Sequence, residues 1–174
     1  MQEASDILVC GFSADKNRFS MQDQFTQESL KLFFNGFINK SLQPFLHSGH
    51  CLDHKLLLPA AKQLNAYQFA EEAANSSDTA ILLLADEDRS ASDKLVQAFQ
   101  AVAKKLSKEI DFVWMCLRVN EVAPQYLDRF RSEKTSIYIR SDSSTVKFSP
   151  VSNENNLENL LFNFIKQRKL YLSN

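Results

Sequence analysis

The sequence predicts an α/β fold, a mixed central sheet flanked by helices, preceded by a separate hairpin and helix. Buried-strand patterns alternate with helical patterns between residues 61 and 131. A hairpin pattern followed by an apolar helix occurs both near the beginning and at the end of the chain. A chain of 174 residues with 44% hydrophobic content is long enough to bury a core of this kind.

The first 46 residues follow the pattern of a hairpin and a helix. Residues 5–11 (SDILVCG) and 17–21 are predicted strands, and the polar residues between them predict a turn. Thr26 is the predicted N-cap of the helix that follows. The apolar residues of this helix recur every three or four positions, which predicts that they form one face packed in the core: Leu30, Phe33, Phe34, Phe37 and Ile38.

Residues 47–60 mix proline, glycine and histidine with polar residues and show no sustained period, which predicts a linker. The stretch HSGHCLDH holds His47, His50, Cys51 and His54, which are residue types that zinc accepts. Their spacing is not that of a zinc finger, and no matching second pair of ligands follows. We therefore interpret these residues as a polar linker and predict neither a metal site nor a cofactor.

Residues 61–170 contain a complete alternating pattern of strands and helices. The predicted strands are 61–64, 80–84, 112–119, 136–139 and 145–148, and the predicted helices are 66–74, 91–107, 123–131 and 157–170. The long second helix has one continuous apolar face, formed by Leu95, Val96, Phe99, Val102, Ala103 and Leu106. The pattern predicts that this face packs against the sheet.

Composition and charge argue against several classes of function. The net charge is −1 with acidic and basic residues interspersed, which does not favour nucleic-acid binding. No apolar run approaches the roughly 20 residues that a membrane helix needs. The three glycines are too few and too scattered for a glycine-rich phosphate loop. The three cysteines form no CxxC pair, and two of them, Cys10 and Cys116, lie in apolar runs that predict small core residues.

The order of predicted elements resembles that of a thioredoxin-like domain of the protein disulfide isomerase family. The resemblance runs from Lys62 to Lys166 and rests on QLNAYQFAEEAANSSDTAILLLADEDRSASDKLVQAFQAVAKKL, which stands where such domains have their first strand, first helix, central strand, active-site turn and long helix. Residues 5–46 resemble the tail of a preceding domain of the same kind. The resemblance implies three parts: 1–46 from that preceding domain, a linker at 47–60, and a domain at 61–170.

The diagnostic motif of the family is missing from the corresponding stretch, ILLLADEDRSASDK. Its four motif positions fall on Arg89, Ser90, Ala91 and Ser92, so neither thiol of the Cys-x-x-Cys motif is present. The position of the family's cis-proline falls on Thr135, and a cis peptide is essentially confined to proline. Disulfide exchange needs a thiolate and a second sulfur to resolve the mixed disulfide. The sequence therefore predicts a redox-inactive domain that is not an enzyme.

The same turn has a simpler structural interpretation as the start of a helix. Ser90 and Asp93 match the spacing of a capping box, and Asp86, Glu87 and Asp88 place negative charge near the predicted helix N-terminus. The alternative is that these three acidic residues form a docking surface for another protein.

Two triplets match the N-x-[ST] acceptor of N-glycosylation, at Asn39 and at Asn75. These triplets matter only in the secretory pathway, and Asn75 lies in the more polar loop. The family resemblance implies the lumen of the endoplasmic reticulum for a chain that is part of a longer protein. A genuine start at Met1 implies the cytoplasm instead.

Two hypotheses of function follow. The first is a non-catalytic module of a protein-disulfide-isomerase-like protein that binds client or partner proteins during protein folding. The second is a portion of a thiol-disulfide oxidoreductase whose active CxxC lies in other domains. A third, self-contained cytosolic adaptor, is less favoured. Calcium buffering is disfavoured because the charge is balanced, whereas hard cations need dense carboxylates.

Overall fold

The structure is a computed structural model that describes residues 9–14, 17–49, 58–75, 77–85, 89–130, 134–141, 144–149 and 156–172. The side chains of residues 89–92 and 169–172 lie outside this description. The chain divides into two compact units, and each is described by itself. Unit 1 comprises residues 1–46 and 123–125, and unit 2 comprises residues 47–122 and 126–174.

Unit 1 contains the predicted hairpin and helix. Strands β1 (Cys10–Phe12) and β2 (Arg18–Ser20) pair antiparallel, and helix α1 spans Gln27–Ile38. Thr26 is the N-cap, as predicted, and it forms a capping box with Ser29, because each side chain accepts a hydrogen bond from the other residue's backbone N–H.

Helix α1 packs on the hairpin through aromatic side chains. The Phe19 and Phe37 rings meet edge to face with centroids 5.3 Å apart, and Phe33 is buried. A Cβ atom on Gly11 would lie 2.9 Å from the Phe37 ring, so this glycine permits the close approach of β1 to α1.

Two sequence predictions for unit 1 are wrong. Phe34 and Ile38 were predicted to pack in the core, but they are 50% and 72% exposed. Cys10 was predicted to be a core residue, but it is exposed. Gly11 faces α1, so Cys10 and Phe12 point to the opposite face of the hairpin, and Phe12 is exposed as well.

Unit 2 contains the longer alternating pattern. Its strands are β3 (Lys62–Gln63), β4 (Thr79–Leu84), β5 (Asp111–Cys116), β6 (Ser136–Ser141) and β7 (Ser144–Phe148). Its helices are α2 (Ala66–Ala74), α3 (Arg89–Leu106) and α4 (Leu157–Leu172). A 3-10 helix spans Pro124–Tyr126, of which the first two residues belong to unit 1 and Tyr126 belongs to unit 2. No helix in the described ranges is long and apolar enough to cross a membrane.

The five strands form one mixed sheet in the order β3-β5-β4-β6-β7. Strands β3, β4 and β5 are parallel, whereas β6 pairs antiparallel with β4 and β7 antiparallel with β6. β4 is the central strand and is buried along its whole length. This agrees with its continuous apolar sequence, which is typical of a strand covered on both faces.

Helices cover both faces of this sheet. On one face, α3 and α4 pack over alternate residues of β4 such as Leu82, and the predicted apolar face of α3 is buried at Phe99 and Val102. On the other face, Phe69 of α2 lies over Ile81 and Leu83. Side chains alternate between the two faces because successive residues of a strand point in opposite directions.

Three predicted boundaries differ from the structure. The strand predicted over 112–119 ends at Cys116, because its partner β4 ends at Leu84, opposite Cys116. The helix predicted over 123–131 is only the 3-10 helix and a turn, which bring Phe130 edge to face with the buried Phe69 ring. Helix α3 begins at Arg89, which places Ser90 inside the first turn rather than at the N-cap.

Candidate functional site

The candidate site lies where the parallel strands β4 and β5 end and helix α3 begins. Residues 89–92 form the first turn of α3, which follows β4 after a short connection. The first backbone N–H groups of a helix have no partner inside the helix, so this end of the sheet favours negative charge. The three predicted acidic residues, Asp86, Glu87 and Asp88, lie outside the described residues.

Thr135 lies beside this end of the sheet, in the residues before β6. Its hydroxyl accepts a hydrogen bond from the Ala85 backbone N–H at 3.1 Å and lies 3.5 Å from the Ala85 carbonyl oxygen. Ala85 directly follows β4, so the Thr135 side chain continues the β4–β6 contact beyond the last backbone pair, Leu83 with Ser136. No cis peptide bond occurs in the described ranges.

Replacing Thr135 with valine should lower the free energy of unfolding by about 1–2 kcal/mol, since the half-buried Ala85 N–H would lose its acceptor. Valine keeps the shape of threonine but lacks the hydroxyl. The matched control is Thr135→Ser, which keeps the hydroxyl and should lose less stability. Urea unfolding of both variants measures the difference, and equal losses would assign the effect to packing instead.

The two described cysteines lie in different environments and in different units. Cys116 ends β5 and is buried at 4% exposure, as predicted, whereas Cys10 is exposed on β1 of unit 1. Neither forms a disulfide in the described part of the chain. The third cysteine, Cys51, lies outside the described residues together with His50 and His54. Cys116 therefore lies at the same end of the sheet as the candidate site, but core residues enclose its thiol.

The buried side chain of Asn120, which the sequence analysis missed, connects three segments of unit 2. Asn120 is 2% exposed and makes four hydrogen bonds of 3.0 Å. Its Oδ1 atom accepts from the backbone N–H groups of Gly49 and Ala66, and its Nδ2 atom donates to the carbonyl oxygens of Gly49 and Cys116. Asn120 thereby joins the end of β5, the start of α2 and the segment that precedes β3.

The segment predicted as a linker begins with ordered contacts inside unit 2. The Glu121 backbone N–H donates to the His47 carbonyl oxygen at 3.0 Å, and the Glu121 carboxylate accepts from the His47 backbone N–H at 2.7 Å. The His47 side chain is exposed. Among the described side chains, no group of three His, Cys, Asp or Glu residues is placed to hold a metal ion.

The second feature that the sequence analysis missed is a buried ion pair at the opposite end of the sheet. The Arg140 guanidinium donates to the Glu72 carboxylate at 2.6 Å, to the Thr79 hydroxyl at 2.8 Å and to the Ser77 carbonyl oxygen at 3.2 Å. It also donates to the Glu72 carbonyl oxygen. The side chain of Arg140 is 3% exposed and that of Glu72 is 20% exposed. The strand predicted over 136–139 ends one residue short of Arg140, whereas β6 extends to Ser141.

The two candidate glycosylation residues lie at helix ends. Asn39 is the C-cap of α1 and Asn75 is the C-cap of α2, and both residues are exposed. Their exposure is compatible with a glycan, and their modification stays a prediction.

No protein-family model matches the chain, and no curated protein is detectably similar to it in sequence. Among solved structures, it is similar to the J-Trx1 fragment of ERdj5, with 15% identity and a TM-score of 0.49 over 63% of this chain and 52% of that one. Chloroplastic thioredoxin z matches with 12% identity and a TM-score of 0.48 over 63% of this chain and 95% of that one. Human ERp44 in its zinc-bound form matches with 15% identity and a TM-score of 0.48 over 63% of this chain and 30% of that one.

The fold itself rests on the arrangement of the strands. If the five strands of unit 2 are numbered by their order along the chain, their order across the sheet is first, third, second, fourth and fifth. The first, second and third strands are parallel, and the fourth and fifth form an antiparallel hairpin. Helices follow the first, second and fifth strands, and both faces of the sheet are covered. Unit 2 therefore has a thioredoxin-like fold, as the order of elements in the sequence predicts.

Proposed function

We propose that the chain is a non-catalytic thioredoxin-like module of a protein-disulfide-isomerase-like protein, which binds unfolded client or partner proteins in the lumen of the endoplasmic reticulum. The observation that carries the proposal is the first turn of α3. It follows the central strand β4, but residues 89–92 carry Arg-Ser-Ala-Ser in place of two thiols. Serine hydroxyls cannot form the mixed disulfide that redox exchange requires.

The surroundings of the described cysteines support the same proposal. A reactive cysteine is exposed and has a lowered pKa, because the thiolate is the nucleophile. Cys116 is enclosed by the core of unit 2, whereas Cys10 is exposed on the hairpin of unit 1. Neither has a second described cysteine beside it in the same unit. Client binding would then depend on the surface of the domain and not on a transient disulfide.

The test combines a redox assay with a binding assay on the same protein. We expect the chain to show no insulin reduction and no disulfide reshuffling, alone or after replacement of Cys10, Cys51 or Cys116. The double substitution Arg89→Cys and Ser92→Cys should create measurable dithiol oxidation, because it places two thiols at the start of α3. That variant is the control showing that the assay can detect a working motif in this fold.

The binding probe is reduced, carboxymethylated α-lactalbumin, which stays unfolded and carries no free thiol. We expect saturable binding by fluorescence anisotropy, equal for the parent chain and for Cys116→Ala. Activity of the parent that disappears with one cysteine would overturn the non-catalytic proposal. Absence of binding to the probe would overturn the client-binding part while leaving the redox result standing.

A further inference from the structure

The backbone around the two glycosylation triplets differs, and this difference separates the two candidates. We call residues 39–41 the Asn39 triplet and residues 75–77 the Asn75 triplet. Transfer of an N-linked glycan requires the asparagine amide and the hydroxyl two residues later to meet in the transferring enzyme. The backbone must therefore be open at the triplet, and the hydroxyl must be free. Both asparagines are exposed, so exposure alone does not distinguish them.

The Asn39 triplet forms the closed turn that ends helix α1. Asn39 has a ψ of 1°, and Lys40 follows it with a φ of 55°, in the left-handed region. The backbone N–H groups of Lys40 and Ser41 donate to carbonyl oxygens of the last helical turn at 3.2 and 2.9 Å, which is a Schellman motif. The Ser41 hydroxyl donates to the Gly36 carbonyl oxygen at 3.3 Å. The hydroxyl of this triplet is therefore bound to the end of its own helix.

The Asn75 triplet is open by comparison. Asn75 is the C-cap of α2, but its backbone is extended, with a ψ of 159°. Ser77 is exposed, and its hydroxyl lies 3.5 Å from the Thr79 hydroxyl, which is beyond the usual length of such a hydrogen bond. The two residues that carry the chemistry, Asn75 and Ser77, are therefore both accessible, and the backbone at Asn75 already has the required extended form.

The buried Arg140 holds both ends of this open stretch. Its guanidinium donates to two backbone carbonyl oxygens, that of Glu72 before the triplet and that of Ser77 at its end. The Asn75 backbone N–H donates to the same Glu72 carbonyl oxygen at 3.0 Å. These hydrogen bonds use only backbone groups of the triplet. They fix the position of the stretch and leave the Asn75 amide and the Ser77 hydroxyl available.

We propose that Asn75 accepts an N-linked glycan in the folded chain and that Asn39 does not. The Nδ2 atom of Asn75 forms a bond to the anomeric carbon of the first sugar of a lipid-linked oligosaccharide. The bond from that carbon to the lipid diphosphate breaks, its electron pair leaves with the diphosphate, and Nδ2 loses one proton. In the cell this reaction needs the lumenal location included in the proposed function, so the inference rests on that part of it.

A glycan on Asn75 would stand at the end of the sheet opposite the candidate site. The Glu72 carboxylate accepts from the hydroxyl of Thr79, the first residue of β4, so α2 ends beside the start of β4. The candidate site lies at the other end of β4, where Ala85 follows the strand. The six residues of β4 span about 20 Å. The glycan would therefore leave the candidate site open to a client.

The experiment gives the purified, folded chain to a single-subunit oligosaccharyltransferase together with a lipid-linked oligosaccharide. Mass spectrometry of proteolytic fragments then measures modification at each triplet. Two synthetic peptides, one spanning each triplet, serve as unfolded references, and each rate in the folded chain is divided by the rate of its own peptide. We expect this ratio to be at least about tenfold lower at Asn39 than at Asn75, because the closed turn must open before it reacts.

The matched variant is Ser77→Ala, which removes the hydroxyl but keeps the carbonyl oxygen that binds Arg140. It should abolish modification of Asn75 while leaving the urea unfolding midpoint nearly unchanged. Equal ratios at the two triplets would overturn the proposal, as would a folded chain that stays unmodified at Asn75 while its peptide reacts. None of these outcomes depends on client binding or on where the protein resides, so they test the inference separately from the proposed function.

Discussion

Replacing Arg140 with alanine should lower the free energy of unfolding by about 3–5 kcal/mol, the range found when one member of a buried ion pair is removed. The guanidinium is 3% exposed. Its loss would remove the guanidinium donor from the Glu72 carboxylate, the Thr79 hydroxyl and the Ser77 carbonyl oxygen, and the single Thr79 hydroxyl proton could not replace it at both of the other acceptors. The loss of stability arises mainly from these incompletely hydrogen-bonded polar groups and less from the lost attraction between the two charges.

The control for this prediction is the exposed ion pair between Lys105 and Glu158, whose side chains are 54% and 38% exposed. Lys105→Ala should cost no more than about 1 kcal/mol, because solvent screens exposed charges. Glu72→Gln should cost less than Arg140→Ala, since the amide oxygen still accepts a hydrogen bond. Urea unfolding measures all three variants, and equal losses for Arg140→Ala and Lys105→Ala would refute the role assigned to burial.

Replacing Asn120 with alanine should lower the free energy of unfolding by about 2–4 kcal/mol. The substitution leaves two backbone N–H groups and two carbonyl oxygens without the amide that binds them. Because Asn120 accepts from the Gly49 N–H, the substitution should accelerate amide hydrogen exchange more at Gly49 than at Phe99 in the core. Thermal or urea unfolding and hydrogen exchange on the same samples measure the two effects.

The matched variant Asn120→Asp keeps the acceptor for Gly49 and Ala66 but places an oxygen against the carbonyl oxygens of Gly49 and Cys116. Burial and these oxygens favour the protonated form, so the pKa of the introduced carboxyl group is raised in the folded state. The folded state then binds more protons than the unfolded state, and stability should rise as the pH falls. A loss of stability that does not change with pH would contradict the arrangement of four hydrogen bonds around residue 120.

Much of the fold was predictable because period and capping are local properties. The continuous apolar run of β4 predicts a buried strand, and the structure confirms it. Thr26 is predicted as the N-cap because a threonine hydroxyl just before a helix can accept from its first free N–H groups, and the structure confirms it. The apolar face of α3 was predicted from spacing alone, and Phe99 and Val102 on it are fully buried.

Burial in unit 1 was less predictable, because it depends on what lies beside each residue. The apolar spacing of α1 correctly predicts an amphipathic helix, but spacing does not tell how wide a face the neighbouring elements cover. Phe33 is buried, whereas Phe34 and Ile38 are exposed. In the same way, the apolar context of Cys10 does not tell which face of β1 is covered.

The sequence by itself determined the order of the elements and the absence of thiols from residues 89–92, since these follow from period and residue type. Only the tertiary structure decided the roles of Asn120 and Arg140. Their partners lie far away in the chain, with Asn120 bound to Gly49 and Arg140 to Glu72. A polar residue in isolation carries no signal of such pairing, because the hydrogen bonds that compensate its burial exist only once the distant segments have come together.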